Sequence, residues 1–174
     1  MSGWTVRQAG RADLALMADL ERSGDQAFLD SDLPGLAASE PTPSDLLAPY
    51  IDAGGGWIVE DTQRRAGGFL VAGVREDQFV IFQISVALTD QGTGAGGLLM
   101  RTALEAGRQL GCRQAVLTTF RDIAWNAPWY GRFGFRLLAE AELTPALRAM
   151  REKEALAGFD MDRRCAMALD LQTP

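Results

Sequence analysis

Gln91-Gly92-Thr93-Gly94-Ala95-Gly96-Gly97 decides how the rest of the chain is read. Before it, residues 78–88 carry Phe79, Val80, Ile81, Phe82, Ile84 and Val86, the composition of a strand. After it, residues 94–110 place Leu99, Ala103, Ala106 and Leu110 on one helical stripe, with Gly111 just past the end. A glycine-rich turn from strand to helix lets backbone N–H groups approach a ligand closely at the positive end of the helix dipole. Such a turn receives phosphate or pyrophosphate; the same string also serves as a plain turn with no ligand. Gly92, Gly94 and Gly97 fit the dinucleotide fingerprint, but that fingerprint needs an acid about 20 positions on. Residues 115–119 read Ala-Val-Leu-Thr-Thr and supply none. A phosphate-binding loop of the Gly-Lys-Ser/Thr kind is also excluded, because the only lysine is Lys153.

Working outward, residues 57–60, 67–74 and 78–88 read as three successive strands with short connections at 61–66 and 75–77. Connections that short suit antiparallel neighbours. Residues 4–8 form a further strand, and 11–24 a helix with Leu14, Met17, Ala18 and Leu20 at helical spacing and Gly24 as its stop. Residues 25–43, acidic and broken by Pro34, Pro41 and Pro43, are loop or irregular helix. Ser44 caps a helix to Asp52 with Leu46, Leu47, Tyr50 and Ile51 on one side, and Gly54-Gly55-Gly56 ends it. Downstream, residues 114–120 are a central strand, so strand, helix and strand in that order imply a right-handed crossover and parallel pairing. Residues 125–132 make a short helix and 133–139 a strand. Thr144 as cap and Pro145 at the first position start a helix that runs to Ala157 and stops at Gly158. Residues 164–171 close the chain as a strand. Without repeats, linkers or low-complexity tracts, residues 1–174 are expected to form a single α+β domain.

Composition narrows the function. Of 174 residues, 47% are apolar, and 17 basic against 23 acidic residues give a net charge of -6. A balance that acidic lacks the electrostatic footprint of a nucleic-acid binder. No apolar run approaches the ~18 residues of a membrane helix, and residues 1–10 lack a secretory signal. Cys112 and Cys165 stand apart, which argues against a disulfide framework and a zinc site. These features point to a cytoplasmic protein with no membrane and no nucleic-acid partner. There is no histidine, so the usual neutral-pH base, the Ser-His and Cys-His pairs and the commonest metal ligand are all missing. Catalysis must draw on carboxylates, tyrosine, Lys153, backbone dipoles or water, and no metal is expected.

A second landmark lies downstream, Trp125-Asn126-Ala127-Pro128-Trp129-Tyr130-Gly131-Arg132-Phe133-Gly134-Phe135. Gln91-x-x-Gly94-x-Gly96 after a strand ending at Val86, followed by an Asn, a Tyr four residues on, and Gly-Phe opening a strand, resembles the GNAT superfamily of N-acetyltransferases. Residues 117–122 and 143–147 are similar to a branch of small bacterial members. The resemblance covers residues 4–171. It implies an acyl-CoA N-acyltransferase fold: a mixed, mostly antiparallel central sheet flanked by helices and splayed between the fourth and fifth strands.

The resemblance also implies roles. The backbone of Val86 bonds the pantetheine arm and its N–H polarises the thioester carbonyl. Gln91, Gly92, Thr93, Gly94, Ala95, Gly96 and Gly97 hold the pyrophosphate of acetyl-CoA, and Asn126 bonds the arm from the other side. Tyr130 is the general acid that protonates the departing thiolate; as a residue met alone it would more often pack against Phe133 and Phe135. The general base is open, because Gln83 stands where relatives often carry Glu. Glu21, Asp25, Asp30 and Asp32 lie in the segment that lines the acceptor side in the family, each also readable as a solvated surface carboxylate. With no base, the rate should climb steadily from about pH 6 to 9 with the free-amine fraction. Residues 19–32 hold five acids against Arg22, which favours a cationic amine, small molecule or peptide, if this segment borders the cleft. Two other readings stay open: a non-catalytic acyl-CoA-binding module, and a partner-binding subunit using the helix at 143–158. A homodimer is equally open.

Overall fold

The computed structural model describes residues 3–172. In chain order the elements are β1 (Thr5–Gln8), α1 (Leu14–Asp25), α2 (Ser44–Asp52), β2 (Gly56–Glu60), β3 (Ala66–Arg75), β4 (Gln78–Val86), α3 (Ala95–Gln109), β5 (Gln114–Phe120), α4 (Ala127–Gly131), β6 (Arg136–Leu137), α5 (Pro145–Leu156) and β7 (Arg164–Asp170). Short 3-10 turns fill residues 26–30 and 34–38, where the prolines broke the helical pattern. The hydrogen-bonded strand order is β1-β2-β3-β4-β5-β7-β6. Antiparallel pairs join β1 to β2, β2 to β3, β5 to β7 and β6 to β7, whereas β4 and β5 run parallel. The expected mixed sheet with a parallel strand–helix–strand unit is therefore what the chain forms.

Contacts gather into two compact units, one of residues up to Gly73 with Ile81–Ala106, the other of Val74–Val80 and the chain from Gly107 on. In the first, Ile58 of β2 faces Phe69 of β3, and Phe69 and Val71 project to one face by the two-residue period of a strand. Met17 and Leu20 of α1 and Leu47 and Ile51 of α2 pack on that face. Met17, Leu47, Ile58 and Phe69 are fully buried, so truncating any of the four to alanine costs about 2–5 kcal/mol.

In the second unit the parallel ladder is three pairs long, Gln78, Phe79 and Val80 opposite Gln114, Ala115 and Val116. Val80, Val116 and Ala168 then form one row across three strands, covered by Leu143 and Leu147. The cap expected at Thr144 is present: its hydroxyl donates to Gln78 Oε1 at 2.8 Å and accepts from the Leu147 N–H at 3.4 Å. Gln78, only 1% exposed, ties the start of α5 to the sheet in this way.

Three local expectations need correction. Ser44 does not cap α2; it is already the first helical residue, and Pro43 takes the cap position with no side-chain bond. Leu46 and Leu110 are exposed rather than on the buried stripes. Leu110 lies past the end of α3, where Gly111 at φ +73° turns the chain away. The strand expected at 133–139 shrinks to Arg136–Leu137, because the N–H groups of Phe133 and Gly134 are taken by Tyr130 and Gly131 in a tight turn.

Candidate active site

In the first unit the turn at residues 91–97 is built by backbone and held by its neighbours. The first bond of α3 runs from the Leu98 N–H to the Gly94 carbonyl at 3.0 Å. Helix geometry therefore leaves the amides of Ala95, Gly96 and Gly97 without acceptors inside the helix, pointing out of its positive end. Gly94 has φ +96° and Gly92 φ +76°, a region that side-chain-bearing residues adopt at a cost.

Three contacts fix this turn, and local pattern shows none of them. Asp90, buried at 6% exposure, receives both guanidinium nitrogens of Arg65 at 2.8 and 2.9 Å. The Thr93 hydroxyl donates to the Asp90 carbonyl and accepts from the Trp4 indole N–H at 3.1 Å. Gln91 Nε2 donates to the carbonyls of Val86, at 3.1 Å, and Gly24, at 3.2 Å. The side chains of Thr93 and Gln91 are thus committed to the frame of the turn. A further cation also stands there: Arg101 lies over Gly97, with Nη1 3.2 Å from where a Cβ would be.

The same unit holds the acids of residues 19–32, and they divide sharply. Asp19 is exposed and pairs with Arg22 at 3.0 Å, and Asp30 and Asp32 are exposed. Glu21 is buried and accepts from both the Thr42 N–H and the Thr42 hydroxyl, each at 2.9 Å. The Gln83 amide meets that hydroxyl from β4. Asp25 is half-buried, and burial, with the nearby Glu21 charge added, pushes its carboxyl up to about 6.

In the second unit α4 opens at Asn126. Its carbonyl accepts the first helical N–H groups, from Trp129 at 2.9 Å and Tyr130 at 3.0 Å. Its side-chain oxygen accepts from the Thr119 hydroxyl on β5 at 2.7 Å, which orients the amide and leaves its NH2 to donate elsewhere. Tyr130 is half-buried, set edge-on to Trp129 and Phe135 at ring-centroid distances of 5.1 and 6.0 Å. Burial pushes its phenol above the ordinary tyrosine range, against the opposing pull of Arg164, so the proton stays on oxygen throughout the neutral range. Among the described residues no helix is long and apolar enough to cross a membrane.

Comparison with known proteins agrees with this architecture. Residues 26–135 match the model of the acetyltransferase (GNAT) family, and the chain belongs to that family. Its fold is similar to N-acetylglutamate synthase from Neisseria gonorrhoeae, solved with coenzyme A and N-acetyl-glutamate, at 18% identity and a TM-score of 0.71. That match covers 98% of this chain but 35% of the longer synthase. Ard1 from Thermoplasma volcanium is similar at 14% identity and a TM-score of 0.70, covering 98% of this chain and 99% of that one. The ribosomal-protein-S18-alanine N-acetyltransferase of Escherichia coli follows at 15% identity and 0.65, covering 98% and 96%.

Proposed function

We propose that the protein is a cytoplasmic N-acetyltransferase that moves the acetyl group of acetyl-CoA to a primary amine by direct attack in a ternary complex. The observation that carries this reading is the turn at residues 91–97, with helix-start amides free of helical partners and side chains committed to holding its shape. Those amides and the Arg101 guanidinium would hold the pyrophosphate. Arg101 adds the positive charge that the sequence pattern did not assign. Val86, through its backbone, and Asn126, through its side-chain NH2, would hold the pantetheine arm.

The chemistry asks little else of the chain. The amine lone pair attacks the thioester carbonyl, the C–N bond forms and the C–S bond breaks. A backbone N–H at Val86 would stabilise the oxyanion, and Tyr130 would deliver a proton to the departing sulfur. A phenol held protonated by burial is available for this across the working range, so ionisation of Tyr130 itself should cause no loss of activity on the alkaline side below about pH 10. The buried and half-buried acids near Thr42 favour a cationic amine over an anionic acceptor.

Thiol release from acetyl-CoA across a panel of primary amines, with isothermal titration of acetyl-CoA alongside, tests the reading. Saturable amine-dependent release supports it. Tight acetyl-CoA binding without release would point instead to a non-catalytic binding module.

A further inference from the structure

We propose, on the reading that the chain is an acetyl-CoA-dependent N-acetyltransferase, that Asp25 is the general base that takes the proton of the acceptor ammonium. Position is the first argument. A Cβ on Gly24 would fall 2.5 Å from Ser85 Oγ and 2.8 Å from the Val86 carbonyl, so only glycine lets the end of α1 sit this close to the end of β4. Gln91 bridges the Gly24 and Val86 carbonyls and holds the two segments together. Asp25 is the next residue after Gly24 in the chain, which sets its backbone beside the strand end where the proposed thioester contact lies.

The surroundings are the second argument. Glu21 faces Asp25 from one turn earlier on α1, and its carboxylate is tied to Thr42. Gln83 and Ser85 come from β4, and neither titrates in the working range. Among the described residues no cation pairs with Asp25; Arg22, on the same helix, is exposed and pairs with Asp19. Desolvation and the Glu21 charge bring the Asp25 carboxyl to about 6. It is therefore ionised at neutral pH yet much more basic than a solvated aspartate. Gln83, whose side chain is an amide, cannot take this role.

The proton and electron count closes. The amine arrives as an ammonium and gives one proton to Asp25. Its lone pair then forms the C–N bond as the C–S bond breaks. The second nitrogen proton is lost as the amide forms and replaces, through solvent, the one that Tyr130 gives to sulfur. Asp25 returns its proton to water, so each turnover releases one net proton. A base-free reaction would instead give a rate rising without a plateau.

The test is the pH dependence of kcat/KM for the best primary amine in a panel containing an alkyl monoamine, an alkyl diamine, an amino-acid amide and a short peptide. The natural protein should rise to an inflection near the Asp25 value of about 6 and then stay level towards the amine's own pKa. Asp25→Asn should lower kcat/KM at pH 7.5 by about 10²-fold or more, and its residual activity should climb tenfold per pH unit. Glu21→Gln, which removes a like charge, should move the inflection to lower pH. Because an aspartate can also matter for folding, melting temperature is read beside the rates: Asp25→Asn should melt higher than the natural protein at pH 8 and not at pH 4. An unbroken climb in the natural protein, or an inflection that survives Asp25→Asn, overturns the assignment. Acetyl-CoA binding with no acetylated amine would overturn it together with the transferase reading.

Discussion

The turn at residues 91–97 and the carboxylate corner around Asp25 belong to the same unit, yet they are made in opposite ways. The turn is contiguous sequence, and the groups proposed to bind there are backbone amides whose direction follows from a helix start and two positive φ values at Gly92 and Gly94. The corner takes Glu21 and Asp25 from α1, Thr42 from the segment before α2 and Gln83 from β4. Its property, a carboxyl with a raised pKa, belongs to none of these residues alone. A motif can specify the first kind of site, whereas only folding produces the second.

Mutations separate the two kinds of site. Tyr130→Phe keeps the ring against Trp129 and Phe135 and removes the proton donor. Turnover should fall by about 10²-fold or more with acetyl-CoA affinity nearly preserved, as rate measurements and calorimetry together would show. Equal turnover would leave Tyr130 a packing residue.

Gly94→Val is predicted to weaken acetyl-CoA by ~10–100-fold, the loss of one charge-assisted hydrogen bond of about 1.5–3 kcal/mol. Because Gly94 sits at φ +96°, the valine should also cost about 1–3 kcal/mol of stability. Arg101→Ala separates the two effects: it should lower acetyl-CoA affinity by about tenfold, more at low salt than at high, while melting stays unchanged. Intact affinity in Arg101→Ala would remove that guanidinium from the pyrophosphate site.

The corner makes a smaller prediction of opposite sign. A carboxyl at about 6 in the folded chain and ~3.9 when unfolded holds its proton more tightly in the folded state. Its charged form therefore weakens the fold, with no effect below about pH 4 and the full penalty above the folded value. Asp25→Asn should raise stability at pH 8 by about 1 kcal/mol, less than two pKa units would give because solvent still reaches the group. Thermal melts at pH 4 and pH 8 check it, and a melting gain equal at both values would show that ionisation is not the cause.

Much of this was legible beforehand, for identifiable reasons. The residue 114–120 strand reads correctly because it is short, β-branched and central. The cap at Thr144 with Pro145 reads correctly because capping is local chemistry. The short helix around Tyr130 reads correctly because its string resembles one in the GNAT superfamily. What stayed hidden was long-range: the Arg65–Asp90 pair and the Trp4–Thr93 bond that brace the turn, and Thr119 orienting Asn126. Among five acids in one segment, spacing gave no means of telling exposed Asp30 from half-buried Asp25. The difference is Gly24, whose missing side chain lets one end of a helix touch a strand 61 residues away in sequence at Ser85.

Acetyl transfer is read most directly by following free CoA thiol and acetylated amine together, by absorbance and mass spectrometry, as amine is added to the protein with acetyl-CoA. The two products should appear in equal amounts, saturate with amine, and depend on Tyr130. Thiol that appears no faster with amine than without it, from a protein that binds acetyl-CoA, would mean that the protein is not an acetyltransferase for these amines.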